Sequence, residues 1–202
     1  MGKEMSVNLA EQLNLAQELL IKFFKETSFL IKETELQLKK LPEEFIILQT
    51  TGYGVATVGS AGIEYPEWWL PPYFGVMFAP SKFVEKDKRG TRTKVQPLLK
   101  LIFAKIVLRD ENIKEPEIWF GLLKNIKANS YYSKFEIAVS DFFYYWLTYN
   151  KKWLDKEGPF TFEQTDNKWV NFKGTLKRIK LLSLSSSDDI KNDIINAIVS
   201  FD

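Results

Sequence analysis

The chain contains neither cysteine nor histidine among its 202 residues. Without cysteine it can form no disulfide, thiolate metal site or iron–sulfur cluster, and it has no cysteine nucleophile. Without histidine it lacks an imidazole for acid–base catalysis, for a Ser-His-Asp triad and for zinc. An enzyme of this composition would rely on carboxylates, lysine, tyrosine or hydroxyl groups, or on a hard cation. Since no such constellation stands out, we assign no catalytic residue, metal or cofactor and expect a non-enzymatic protein.

A strong net charge and a secretion signal are also missing. The net charge is +2, while 45% hydrophobic and 27% charged residues are typical of a globular domain. An amphipathic segment that contains glutamate follows Met1–Lys3, where a signal peptide would have an apolar run. We therefore expect one domain over residues 1–202, a cytoplasmic location and no membrane partner.

The first segment has the pattern of a long helix over residues 9–40, which Pro42 ends. Asn8 is a suitable N-cap, and Glu11 completes an arrangement like a capping box. Apolar side chains recur at steps of four and three and form a stripe along one side. The stripe consists of Leu9, Leu13, Ala16, Leu20, Phe23, Thr27 and Leu30.

Two interpretations of this stripe are open. It can pack across a sheet, or it can form a coiled-coil or dimer seam. Thr27 and Thr34 interrupt the seam, so packing on the sheet is favoured.

Several segments with β-prone residues follow the first helix. The segments 98–109 and 117–127 alternate well enough to predict an antiparallel pair, which is the strongest strand signal in the chain. An Asp-Asn turn predicts a hairpin over 160–174. Further strands are expected over 45–51, 53–59, 73–79 and 176–184.

Two more helices complete the prediction. Aromatic residues at steps of three and four predict an inserted aromatic-rich helix over 133–157. The last segment, 185–201, reads as a helix that Ser187 caps, with Ile190, Ile194, Ile198 and Phe201 as its buried row. The order of elements predicts an α+β fold with a mostly antiparallel sheet.

A glycine-rich stretch, TTGYGVATVGSAG at 50–62, suggests a phosphate loop at first sight. A P-loop needs Gly-Lys-Ser/Thr, and a dinucleotide fingerprint needs G-x-G-x-x-G at the start of a helix. Neither spacing is present. The likeness to a potassium-channel filter also fails, because the stretch is polar and no second span accompanies it. The glycines therefore indicate a tight turn between strands.

Aromatic residues and prolines crowd the segment IEYPEWWLPPYFG at 63–75. It reads either as a loop that covers the core or as a rigid groove in which Trp68, Trp69 and Tyr73 stack on a base, a sugar or a peptide. Glu64 and Glu67 could serve as paired acids, but the sequence does not show that they converge.

The segment SKFVEKDKRGTRTK at 81–94 carries six basic and two acidic residues. It reads as an exposed loop or hairpin tip, and its charge can neutralise several phosphates. Lys100 and Lys105 would widen this basic tract. A second basic cluster, near the C-terminal end of the chain, would extend it if the strands that carry the two groups are adjacent. The basic residues of the segment are Lys82, Lys86, Lys88, Arg89, Arg92 and Lys94, and the second cluster consists of Lys173, Lys177, Arg178 and Lys180.

RNA or DNA is the first choice of partner, held by electrostatic capture with aromatic stacking. A protein partner or a homo-oligomer is the alternative. A metal-dependent nuclease that uses Asp110, Glu115, Glu117 and Lys124 is the rival among enzymes, although the usual Glu-x-Lys is missing. Segment 81–94 and the aromatic residues of 63–75 are therefore the candidate binding surfaces.

Overall fold

The computed structural model describes residues 2–52, 73–86, 92–95, 100–108, 113–128, 157–162 and 170–201. A long helix precedes the strands, and a short helix follows them at residues 187–200. The elements are α1 (Gly2–Leu38), β1 (Phe45–Gly52), β2 (Tyr73–Pro80), β3 (Val84–Lys86), β4 (Arg92–Val95), β5 (Lys100–Val107), β6 (Glu117–Ala128), β7 (Gly158–Phe162) and β8 (Val170–Lys180).

Six strands form one antiparallel sheet in the order β1-β2-β5-β6-β8-β7, while β3 and β4 form a separate two-stranded hairpin. The α+β fold and the β5–β6 pair are thus confirmed. The strand expected over 53–59 lies outside the described residues, and so does the helix expected over 133–157, apart from Glu157.

The main core lies on one face of the sheet, which we call the helix face. Alternate residues of β2, β5 and β6 point to it, because side chains alternate along a strand. They pack against Leu30 and Leu38 of α1 and against isoleucines of the C-terminal helix. Phe78 and Phe120 are fully buried there. The strand residues of this core are Val76, Phe78, Ile102, Ala104, Ile106, Ile118, Phe120 and Leu122.

The opposite face of the sheet is buried as well. Met77, Phe103 and Trp119 point to it, and each is at most 3% exposed. A sheet that is apolar on both faces explains why β5 reads as a nearly continuous hydrophobic run in the sequence.

The predicted hairpin over 160–174 is present as β7 and β8. The sequence suggested a separate strand over 176–184, and that division was wrong: β8 runs without a break from Val170 to Lys180. Gly174 weakens the strand signal in the middle of β8, but it is needed there. A Cβ at Gly174 would collide with the ring of Phe160 on β7 and approach Leu123 on β6.

Helix α1 begins earlier than the sequence predicted. It starts at Gly2, so Asn8 lies inside the helix and is not its N-cap. The Asn8 side chain instead accepts a hydrogen bond from Gln12 Nε2 at 2.8 Å. No helix of the described residues is both long and apolar enough to cross a membrane.

The apolar stripe of α1 packs on the sheet over its second half only. Thr27, Leu30 and Thr34 are buried, and Thr34 Oγ1 donates to the Leu30 carbonyl at 2.8 Å. In contrast, Leu9 and Leu13 on the same side of the helix are 57% and 62% exposed.

The C-terminal helix consists of an α-helical turn (Ser187–Asp189), a π-helical segment (Ile190–Ile195) and a final α-helical segment (Asn196–Ser200). Its N-cap is Ser186, where the sequence had suggested Ser187. The buried row was predicted correctly at Ile190, Ile194 and Ile198. Ile195 is buried too, since the wider π-helical turn brings it to the same side.

Asp189 closes the first turn of this helix. Its carboxylate accepts hydrogen bonds from the Ser185 backbone N–H at 2.9 Å and the Ser185 hydroxyl at 3.0 Å. The backbone hydrogen bond from Ser185 is the main cause that lowers the pKa of Asp189 below its ordinary value, and the Ser186 hydroxyl adds to it.

The lowered pKa of Asp189 leads to a prediction about pH. A carboxyl whose pKa is lower in the folded state stabilises the protein above its unfolded pKa, and this stabilisation disappears as the pH falls through the folded pKa. Asp189→Asn should therefore lower the Tm slightly at about pH 7, and the difference from wild type should shrink towards zero at about pH 2. Thermal melts of both proteins followed by circular dichroism measure this. A difference that stays constant on acidification would contradict it.

Two glutamates bind backbone amides of the sheet, one on the outer strand β1 and one on β8, the neighbour of the outer strand β7. On β1, where the register shifts between Ile47 and Gln49, the Ile47 N–H donates to Glu35 Oε1 at 2.9 Å. On β8, just past the start of β7, the Arg178 N–H donates to Glu157 Oε1 at 2.7 Å.

Candidate nucleic-acid interface

Three lysines lie side by side at one end of the sheet. Lys100 of β5 is directly opposite Lys124 of β6, and Lys124 is directly opposite Lys173 of β8. Residues opposite each other in an antiparallel sheet share a face, and these three share the helix face. We call them the lysine row. Like charges in this position destabilise a sheet, and Glu43 offsets part of that repulsion at Lys100.

The basic hairpin β3–β4 begins at the same end of the sheet. It follows β2 after a short turn at Ser81–Phe83, and Lys100 begins the strand that comes after it. Within the hairpin Lys86 is opposite Arg92, and Glu85 is opposite Lys94. The predicted hairpin is therefore present, and its register places a second pair of like charges across from each other.

Glu43 partly neutralises this end of the sheet. Its carboxylate lies 2.8 Å from Lys82 Nζ and 3.8 Å from Lys100 Nζ. The Lys82 side chain is nevertheless 62% exposed. A polyanion can therefore reach Lys82 without displacing buried groups.

A cavity of about 280 Å³ opens next to the lysine row. Lys124 Nζ donates to the Phe201 carbonyl at 2.7 Å, where a cation suits the end of the C-terminal helix. Lys173 is exposed, and no carboxylate of the described residues lies within ion-pair distance of it. Ammonium and hydroxyl donors around one cavity suit a phosphate group. The polar side chains that line the cavity are Lys124, Thr161, Lys173 and Thr175.

The backbone of β6 is irregular directly after Lys124. Asn125 has a φ of 52°, and the pairing with β8 shifts between Lys124 and Lys127. A non-glycine residue in this region costs about 1–3 kcal/mol and occurs often at functional sites, as do bulges. The irregularity therefore lies where the cavity and the lysine row meet.

Lys105 does not belong to the basic surface, contrary to the sequence prediction. It is 3% exposed and points to the opposite face of the sheet. There its Nζ lies 5.2 Å from the centre of the Trp119 ring, and Arg178 Cζ lies 4.9 Å from the same ring. The indole is thus held between two cations, an arrangement that an electron-rich ring favours.

The second basic cluster divides along β8. Lys173 joins the lysine row, whereas Lys180 lies seven residues further, which is about 23 Å along an extended strand. Lys180 Nζ is 2.6 Å from Glu115 Oε1, and the hydrogen bond to Glu115 raises the pKa of Lys180 above its ordinary value. Arg178 forms an ion pair with Glu117 at 2.7 Å. These distal cations do not extend the basic surface.

The geometry also separates the residues of the suggested nuclease. Glu117 and Lys124 lie on opposite faces of the sheet, because they are seven positions apart on β6 and side chains alternate along the strand before the bulge. Glu117 is bound by Arg178 and Trp119, and Glu115 by Lys180. No group of three acidic residues in the described ranges could hold a metal ion. Asp110 lies outside the described residues.

Several other predicted residues lie outside the described ranges. Tyr73 is the first residue of β2, and Gly52 is the last residue of β1, which places the start of the glycine-rich stretch at the end of a strand. The predicted residues that are not described are Trp68, Trp69, Glu64, Glu67, Lys88 and Arg89.

Each member of the lysine row was a candidate residue from the sequence, but the three were assigned to three different sites. Lys100 was placed in the basic tract, Lys124 in the nuclease and Lys173 in the second cluster. Only the strand register brings them together, and the register is not visible in the composition of any one strand. Thr161 and Thr175 carried no signal at all, since a threonine in a strand is ordinary.

Comparison with known proteins adds no relative: no family model, curated protein or solved structure matches the chain.

Proposed function

We propose that the protein is a cytoplasmic, non-enzymatic nucleic-acid-binding protein. Its binding surface would be the basic end of the sheet, made of the β3–β4 hairpin, Lys82 and the lysine row. The observation that supports this most is the alignment of Lys100, Lys124 and Lys173 across three neighbouring strands. This end of the sheet is also where the basic hairpin begins.

Repulsion between cations at this end of the sheet favours an anionic ligand. Like charges directly opposite each other disfavour pairing in a sheet, and this end of the molecule has such pairs in both the hairpin and the lysine row. A phosphate backbone would reduce the remaining repulsion and release its own counterions. The cavity beside Lys124 and Lys173 has a size and a donor set that suit one phosphate of the bound strand.

Binding through phosphates predicts how a triple variant behaves. Lys86→Ala, Arg92→Ala and Lys173→Ala together should lower the affinity for short single-stranded RNA and DNA of mixed sequence roughly tenfold or more at low salt. The slope of log K against log salt should become shallower by about 2, since three phosphate contacts are lost. Fluorescence anisotropy titrations between about 50 and 300 mM salt measure both quantities.

A matched control removes the same charge elsewhere. Lys22, Lys32 and Lys191 are exposed and lie on the two helices, outside the proposed binding surface. Their replacement by alanine should leave affinity and slope close to wild type. The proposal is wrong if wild type binds neither RNA nor DNA at low salt, or if the control triple loses as much affinity as the test triple.

A further inference from the structure

Five leucines in the first half of α1 are exposed, and all but Leu15 lie on or beside the apolar stripe of the helix. Leu9, Leu13 and Leu19 are 57–62% exposed, and Leu20 is 38% exposed. Leu9, Leu13 and Leu20 continue the line that is buried against the sheet from Phe23 onwards. The helix therefore extends past the sheet with its apolar side uncovered by any described element.

The spacing of this apolar side is that of a coiled coil. From Leu9 to Leu30 the steps alternate strictly between four and three residues, which is a heptad pattern. The two threonines that interrupt it, Thr27 and Thr34, are buried within the chain and do not touch the exposed part. We call Leu9, Leu13, Ala16 and Leu20 the exposed stripe.

The charges of this part of α1 suit pairing between identical copies. Between Asn8 and Phe23 only Glu11, Glu18 and Lys22 are charged, and all three lie on the side away from the exposed stripe. The positions that flank the stripe carry no charge, so two copies would meet without repulsion at the positions where coiled coils select their partners. The flanking residues are Gln12, Gln17, Leu19 and Phe24.

We propose that two copies of this chain form an antiparallel dimer through the exposed stripe, with the two helices crossing near Ala16. In this arrangement Leu13 of one copy packs beside Leu20 of the other, and Leu9 packs beside Phe23. The small side chain of Ala16 at the centre allows the helices to approach closely. This interface is independent of the nucleic-acid-binding function.

The position of the sheet determines the orientation. Beyond Phe23 the sheet occupies the same side of α1 that the partner helix would contact. Two parallel copies would therefore place both sheets in one space between the helices. Two antiparallel copies place them at opposite ends. A cavity of about 410 Å³ lined by Phe23, Thr27 and Leu182 opens where the exposed part of α1 meets the rest of the chain.

The dimer is tested by measuring the molecular mass in solution as a function of protein concentration. Since the interface is small, we expect a dissociation constant in the micromolar range. Sedimentation equilibrium should show the mass rising from the 23.6 kDa of the chain towards twice that value as the concentration rises to about 200 μM. Leu13→Glu should weaken the association at least about a hundredfold and stay monomeric over this range.

Leu15→Glu is the matched control, because Leu15 is 58% exposed on another side of the same helix. This variant should dimerise as wild type does. The proposal is overturned if wild type is a monomer at every concentration, or if Leu15→Glu and Leu13→Glu have the same effect. Circular dichroism of both variants checks that the helix content is kept.

Cross-linking tests the orientation, and the absence of native cysteine makes it simple. Ala16→Cys should oxidise in air to a disulfide-linked dimer, since the two position-16 side chains meet at the crossing. Leu9→Cys should not, because antiparallel helices keep the two copies of position 9 about 20 Å apart at 1.5 Å per residue. Cross-linking of both variants at equal rates would exclude the antiparallel arrangement.

Discussion

Gly121→Ala should lower the free energy of unfolding by about 3 kcal/mol or more, because it overpacks the centre of the sheet. A Cβ at Gly121 would collide with the carbonyl oxygen of Thr175 on β8 and with the ring of Phe103 on β5. The ring can turn slightly, but the carbonyl belongs to the backbone of the adjacent strand. Strands β6 and β8 must therefore separate for the methyl group to fit. Urea unfolding of wild type and variant measures the loss.

Gly158→Ala is the comparison for this prediction. Gly158 has open space around its Cα, but its φ of 115° lies in the region that disfavours a side chain. The expected loss is therefore conformational and smaller, about 1–2 kcal/mol. If Gly121→Ala lowers the free energy of unfolding no more than Gly158→Ala does, then β6 and β8 have room for a methyl group at Gly121 and the prediction is wrong.

Glu117→Ala should be the second severe change, with a loss of about 3 kcal/mol. The Glu117 carboxylate accepts hydrogen bonds from Trp119 Nε1 at 2.7 Å and from Arg178 Nε at 2.8 Å. Its removal leaves the indole N–H of a tryptophan that is 3% exposed without this acceptor, and it takes the carboxylate away from a half-buried guanidinium. Chemical unfolding followed by tryptophan fluorescence measures the loss.

Glu115→Ala is a close control, since Glu115 is two residues from Glu117 and is also paired with a cation of β8. The Glu115 and Lys180 side chains are 37% and 67% exposed, so this pair contributes less than about 1 kcal/mol. Glu117→Gln should fall between the two, because an amide oxygen still accepts from the indole. Equal losses for Glu115→Ala and Glu117→Ala would contradict the stabilising role of the Glu117 hydrogen bonds to Trp119 and Arg178.

Local sequence pattern was sufficient for much of the fold. The alternation of β5 and β6 predicted their pairing, and the four-and-three spacing predicted α1 and the buried row of the C-terminal helix. The same alternation also indicates where Lys105 points, contrary to its assignment to the basic tract. Lys105 follows Leu101 and Phe103 at even spacing, so it had to share their buried face. Its place in the core was therefore predictable from β5 alone.

Other features depend on how distant strands align, and no local pattern contains that alignment. The lysine row exists because β5, β6 and β8 are paired in one particular register, and a shift by one residue would turn a lysine to the other face. The position of Trp119 between Lys105 and Arg178 depends on the same register. The N-terminal start of α1 was missed for a different reason: Asn8 is a good cap, but helical residues precede it and extend the helix to Gly2.

The glutamates that bind Ile47 N–H and Arg178 N–H affect how the folded protein behaves in a crowded solution. An unpaired amide on an outer strand is a place where a strand of another molecule can add, and sheets grow into aggregates in this way. Glu35 occupies such an amide on β1, and Glu157 occupies an amide of β8 that lies beyond the start of β7. An incoming strand would have to displace the carboxylate and leave it without its donor. We therefore expect these two side chains to disfavour the addition of a strand at these two positions.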